Sequence, residues 1–210
     1  MIPRKLKKKL LQAAGQYPVV TLTGPRQSGK TTLARMAFPE YAYASLEDPD
    51  LRGLALEDPR GFLDRFSDNV ILDEAQRAPD LFSYIQTIVD QEDRPGRFIL
   101  TGSQNFLLAR SISQSLAGRC AILHLLPFSL SELMDWPDVP LNQTGKTIPT
   151  KRKPPERGLF DWLKTGFYPR IHDKQLLPDE WLRNYLHTYI ERDVRDIVNV
   201  GDLEAFRRFM

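Results

Sequence analysis

Residues 24–31 read Gly-Pro-Arg-Gln-Ser-Gly-Lys-Thr, a match to G-x-x-x-x-G-K-[ST] without a mismatch, directly after the apolar run V-V-T-L at 19–22. Each position has a chemical reason. Glycines at 24 and 29 let backbone N–H groups curl round a phosphate where a Cβ would obstruct approach. A helix opening near Gly29 aims the positive end of its dipole at the same place. Lys30 is then expected to span the β- and γ-phosphates, the Thr31 hydroxyl to ligate Mg²⁺, and Thr32 to reach the α-phosphate. Gly24, Pro25, Arg26, Gln27, Ser28 and Gly29 complete the loop around a nucleotide.

The run V-I-L-D-E-A-Q supplies a second element, with Asp73 and Glu74 at the C-terminal end of an apolar strand. In an open α/β sheet that end is where ligands collect. Asp73 is read as the carboxylate that holds Mg²⁺ through water. Glu74 is read as the group that orients and polarises an attacking water, which favours ATP hydrolysis over transfer to a metabolite. A third run, F-I-L-T-G-S-Q-N, brings hydroxyls and amides towards the γ-phosphate. Ser103 is the first choice there and Gln104 the second, the alternative being a solvated strand end. Arg119 is a candidate finger for the transferring phosphate, in its own site or a neighbour's, or else an ordinary helix-end arginine. His124 reads as a satisfied core histidine, and His172 and His187 have no ligand-like companions, so no zinc site is expected.

These residues need a scaffold that brings them together. Five short runs read as strands: 19–24, 41–46, 69–75, 97–103 and 120–125. The third and fourth are nearly continuous in apolar residues, the mark of strands covered on both faces. Helical segments lie between them. One follows Lys30 and stops at Pro39. Two begin at Asp-Pro pairs, with Pro49 and Pro59 suited to a first helical turn. Another follows Asp80, a candidate cap, and carries Leu81, Ile85, Ile88 and Val89 on one face. The segment 105–118 is expected to be helical and to end on Gly118. Strands alternating with helices predict a parallel sheet with helices on both faces. The N-terminal segment, though basic, has too short an apolar part for a signal peptide and reads as a surface helix.

After Phe128 the pattern changes. The stretch 137–158 carries five prolines and a basic knot at 151–153, and reads as a linker or disordered insertion. Beyond it the chain is helical again, with aromatic residues Trp162, Phe167, Trp181, Tyr185, Tyr189 and Phe206 that need packing partners. The expected organisation is therefore a core over 1–135, a linker over 136–158 and a helical region over 159–210. The 210 residues carry 29 Lys and Arg against 27 Asp and Glu, a net charge of +2, which argues against a generalised nucleic-acid binder. A local basic patch from Arg4, Lys5, Lys7, Lys8 and Lys9 with 151–153 leaves nucleic acid a weakly supported partner. No apolar run is long enough to predict a membrane span. The single cysteine, Cys120, fits a reducing cytoplasm.

Taken in order, the segments L-T-G-P-R-Q-S-G-K-T-T-L-A-R, V-I-L-D-E-A-Q-R-A-P, F-I-L-T-G-S-Q and S-L-A-G-R-C-A-I-L-H-L resemble a family of bacterial and archaeal ATP-binding proteins. In that family an AAA-type P-loop ATPase core precedes an uncharacterised, often nuclease-like C-terminal domain. The resemblance covers residues 4 to about 135 strongly and resumes after the proline-rich stretch. It implies an α/β three-layer P-loop NTPase fold with a five-stranded parallel sheet ordered 5-1-4-3-2 and a helical C-terminal appendage. It also implies Walker roles for Lys30, Thr31, Asp73 and Glu74, a sensor role for Ser103, a finger role for Arg119, and a homo-oligomer. On the same comparison Met210 falls where the family's C-terminal domain begins. Three functional readings follow: an ATPase coupled to its helical tail, a nucleotide-gated interaction module with slow or no turnover, and a nucleic-acid-associated protein. The client is not legible.

Overall fold

A computed structural model describes residues 2–92, 94–103, 115–137 and 157–189. Several sequence expectations fall outside them: Gln104 and Asn105, most of the helix expected over 105–118, nearly all of the linker with its basic knot at 151–153, and Phe206. The described chain divides into two compact units, one over residues 2–127 and one from Phe128 onward.

In the first unit the elements alternate as expected. Helix α1 is Leu6–Ala14, strand β1 Val19–Thr23, α2 Lys30–Ala37, β2 Ala42–Ser45, α3 Pro49–Glu57 and α4 Pro59–Asp64. Then come β3 Val70–Asp73, a single 3₁₀ turn Ala75–Arg77, α5 Leu81–Glu92, β4 Phe98–Thr101 and β5 Cys120–His124. All four strand pairings are parallel and the order is β2-β3-β4-β1-β5, which is 5-1-4-3-2 read from the other edge. Strand β4 therefore sits between β1 and β3, so the strand ends carrying Gly24, Asp73 and Thr101 lie side by side at one edge of the sheet.

The continuous apolar strands are explained by two cores. Val19, Val70, Leu72, Phe98 and Leu100 face α3, α4 and α5 with Leu63, Phe82 and Ile85. Val20, Leu22, Ile71 and Ile99 face the other way, against Leu10, Leu33 and Ala34 of α1 and α2. Successive residues of one strand feed opposite cores, because side chains alternate across a pleat. Both Asp-Pro starts act as read. The Asp48 carboxylate accepts from the N–H of Asp50 (2.9 Å) and Leu51, and that of Asp58 from Gly61 (2.9 Å). Gly118 ends its segment at φ +78°, a left-handed conformation suited to glycine.

His124 is a correction. It lies on the exposed face of edge strand β5, its Nδ1 2.6 Å from the Thr23 hydroxyl, and is not a core residue. The apolar look of C-A-I-L-H-L came from an edge strand buried on only one side, which periodicity over five residues does not separate from a central one.

In the second unit α6 is Leu130–Leu133, α7 Leu159–Thr165, α8 Pro169–Lys174 and α9 Pro178–Tyr189. Helix α6, expected within 1–135, belongs by its packing to this unit. The aromatic residues pack on one another. Tyr168 stands 5.1 Å from Trp181 and 4.8 Å from Tyr185, ring centre to ring centre, and Trp162 stacks with Phe167 and His172. Among the described residues no helix is long and apolar enough to cross a membrane.

Candidate functional site

The loop between β1 and α2 carries two glycines at positive φ, Gly24 at +146° and Gly29 at +91°, with Gln27 at +59° between them. Gly24 is demanded by its neighbour. A Cβ built there would lie 2.1 Å from the Leu125 carbonyl oxygen, in the strand exit beside β1. Gly29 caps α2 with no side-chain hydrogen bond to the first turn, so the leading N–H groups of α2 are left for an anion. The Ser28 hydroxyl is fully buried in this loop and its oxygen has no hydrogen-bond partner among the described residues.

Lys30, only 6% exposed, sends its ammonium back to the loop's own carbonyls, Gly24 at 3.1 Å and Pro25 at 2.8 Å. Burial pushes its pKa below the ordinary lysine value, and the carboxylates of Glu74 and Asp73 offset part of that effect. Two carboxylates facing one buried ammonium keep a cation at the mouth of the loop, which is the charge a polyphosphate requires.

Asp73 is buried at the end of β3 and is held from three sides. Its Oδ1 accepts from the Thr31 hydroxyl of α2 at 2.9 Å and from the Thr101 hydroxyl of β4, and its Oδ2 accepts from the Tyr43 phenol of β2 at 3.0 Å. Glu74 follows in a left-handed conformation (φ +55°), a strained geometry for a residue with a side chain. That backbone turn lifts its carboxylate off the strand and starts the 3₁₀ turn. There the Gln76 amide donates both to Glu74 Oε2 and to the Ser103 hydroxyl, the latter at 3.2 Å. Lys30, Thr31, Asp73, Glu74 and Ser103 therefore meet at one edge. The donor set of one hydroxyl and one carboxylate is made of hard oxygens, which suits Mg²⁺ with water completing its shell.

Arg119 does not join them. Its carbonyl accepts from the N–H of Val19, which places it at the opposite end of β1 from Gly24, about 16 Å away at ~3.3 Å per residue. Its guanidinium forms a two-pronged pair with Asp90 of α5, with Nη2 to Oδ2 at 2.9 Å, and both side chains are partly exposed. A role in its own chain's phosphate site is therefore corrected on distance.

Three contributors were not singled out from sequence. Gln76 and Tyr43 reach the site across a turn and from a neighbouring strand. Arg4, grouped with the basic N-terminal residues, instead binds the phosphate loop, its Nη1 donating to the Ser28 carbonyl at 2.8 Å and its Nη2 to the Leu126 and Pro127 carbonyls. The D-E-A-Q spacing was a usable signal for Gln76. Nothing in the sequence marked the other two.

Comparison with known proteins bears on the family and the fold. A family model described as an AAA domain matches residues 16–134, and one described as a domain of unknown function matches residues 156–210. An uncharacterized protein of Mycobacterium tuberculosis is 32% identical over 193 residues, covering 90% of this chain and 39% of its own length. One from Methanocaldococcus jannaschii is 23% identical over 207 residues, covering 91% of this chain and 46% of its own. The chain thus spans less than half the length of these relatives. Among solved structures, AMPPCP-bound DnaA from Aquifex aeolicus aligns with a TM-score of 0.50 at 17% identity, over 91% of this chain and 64% of that one. The fold is that of a P-loop NTPase.

The apposition at Gly24 yields a stability prediction. Gly24→Ala must displace the Leu125 backbone and adopt a φ unsuited to alanine, costing about 2 kcal/mol or more. The melting temperature should fall by roughly 4–8 °C, measured by calorimetry. An unchanged melting curve would contradict the packing of loop on strand exit.

Proposed function

The chain belongs to the AAA-domain family, and from that premise we propose that it binds ATP with Mg²⁺ at residues 24–32 and hydrolyses it. The observation that carries this reading is the meeting of the Thr31 hydroxyl and Asp73 carboxylate, 2.9 Å apart, beside Lys30 and Glu74. Lys30 and the leading amides of α2 bind the β- and γ-phosphates, and Ser28, Arg26 and Gln27 wall the loop. Thr31 and Asp73 hold the cation, which when bound neutralises charge on the phosphate oxygens. Glu74 accepts a proton from, and orients, the attacking water, and Ser103 faces the same space through Gln76. Arg4 keeps the loop seated by tying its Ser28 carbonyl to the strand exit at 126–127.

A nucleotide-gated module with slow turnover is the second reading, and one contact favours it. The Gln76 amide donates to Glu74 Oε2, so that oxygen is already engaged and must release the amide before it can meet a water. The two readings separate at that residue. In the hydrolysis reading Gln76 holds Glu74 in place, so Gln76→Leu lowers turnover. In the gating reading the amide restrains Glu74, so the same change raises it.

Because Arg119 is remote from its own chain's loop, its finger role is proposed only towards a neighbouring copy, which it would reach by leaving Asp90. Coupling of hydrolysis to a conformational change in the helical second unit is part of the same proposal. The cytoplasm is the compartment we propose, on the single cysteine.

Two tests follow. Glu74→Gln keeps the size and one acceptor oxygen but cannot take the water's proton. Nucleotide affinity by titration calorimetry should persist while phosphate release falls by ~10² or more. Unchanged turnover would move the water-orienting role to another residue. For Arg119, Arg119→Ala should lower turnover, and mixing it with Glu74→Gln protein should restore part of the activity, since each supplies the group the other lacks at one class of interface. No recovery in the mixture, with activity independent of concentration, would remove Arg119 from the reaction.

A further inference from the structure

Asp73 is a carboxylate at the end of a short terminal torsion, and such sp³–sp² torsions are broad and weakly restrained on their own. Its rotation is nonetheless consequential. Thr31 gives its hydroxyl proton to Asp73 Oδ1 at 2.9 Å, which turns the Thr31 lone pairs away from Asp73 and towards the loop. That orientation holds only while Oδ1 faces α2. The Thr31 and Thr101 hydroxyls both bind Oδ1, so neither fixes the far edge of the group.

Tyr43 binds that far edge. It pairs with Ile71 on the neighbouring strand, two residues before Asp73, so the gap along the strand is about 6.6 Å. The long phenol spans it on the shared face, and its hydroxyl meets Asp73 Oδ2 at 3.0 Å. The ring is itself held. The Arg35 guanidinium lies 4.9 Å over its centre. Tyr43 and Arg35 also line a cavity of about 480 Å³ that opens beside Thr31 and Thr32.

We propose that Tyr43 is a positioning residue for the divalent cation of the nucleotide site, holding the Asp73 carboxylate in the rotation that lets Thr31 ligate. The proposal rests on the reading that Asp73 and Thr31 hold that cation. In this reading Tyr43 acts on the cation through Asp73.

The test uses Tyr43→Phe, which keeps the ring under Arg35 and removes only the hydroxyl. Mn²⁺ is titrated into protein saturated with ADP, and free Mn²⁺ is read by electron paramagnetic resonance. The expected result is an affinity for Mn²⁺ weakened about tenfold, the scale of one hydrogen bond to a charged group. ADP affinity in EDTA should stay at its wild-type value, and the melting temperature should fall by only a few degrees, the cost of one hydrogen bond to a buried carboxylate. Unchanged Mn²⁺ affinity overturns the proposal. So does a loss shared equally by Mn²⁺ affinity, ADP affinity in EDTA and melting temperature, since that is a general packing role. Asp73→Asn is the second arm. If it weakens Mn²⁺ binding while Tyr43→Phe does not, only the role of Tyr43 fails. If it too leaves Mn²⁺ binding unchanged, the assignment of the cation to Asp73 fails with it.

Discussion

A carboxylate removed from water at the end of a buried strand must recover its hydration from protein donors, or its burial costs several kcal/mol. Asp73 does so with hydroxyls from three elements, Thr31 of α2, Thr101 of β4 and Tyr43 of β2. Each of those hydrogen bonds fixes one element against β3 at the level where the strands end. The helix that follows the phosphate loop, the strand inserted between β1 and β3, and the edge strand β2 are thereby keyed to one atom group. Displacing any of them takes one hydrogen bond from a buried charge. The same three bonds decide which face of the carboxylate is turned to the loop, so the demand of folding and the demand of the site coincide.

The loop meets a second constraint, from backbone rather than charge. Gly24 lies so close to the Leu125 carbonyl that no side chain fits, and Arg4 ties the Ser28 carbonyl to the chain just beyond Leu125. The phosphate loop is therefore fastened to the exit of β5 at both of its ends. Glu74 carries strain of its own, with a left-handed backbone held by the 3₁₀ turn and by Gln76. Left-handed backbone at Gln27 and Glu74, beside Lys30 and Asp73, fits a site whose geometry is set before any ligand arrives.

The second unit is built on different physics. Where the first buries aliphatic side chains on two faces of a sheet, this one packs Tyr168 at a tilt against Trp181 and Tyr185, stacks those two on each other, and sets Trp162 against Phe167 and His172. Few large aromatic rings let short helices cohere without a sheet, because each buries much area at small cost in rotamer entropy. Leu159, Phe160 and Leu163 on α7 and Leu177 remain exposed.

The loop at 24–31, the acidic pair at 73–74, the Asp-Pro helix starts and the alternation of strands with helices were all legible in the sequence, because each is a local rule. Glycine tolerance, helix capping and side-chain periodicity act within a few residues, and the strand order followed from the family resemblance. What the sequence left open are contacts made across the sheet or across long loops. Arg119 read as a finger because its neighbours in sequence suited that role. Only the parallel register revealed that it stands at the wrong end of β1, facing Asp90. His124 read as buried because an edge strand and a central strand share a pattern until their neighbours are known. Tyr43 lies 30 residues from Asp73 and Arg4 lies 24 from Ser28, separations over which residue type carries no distance information. Their partnerships exist because β2 pairs with β3 in one register and α1 packs beside the loop, and those are decisions of tertiary structure.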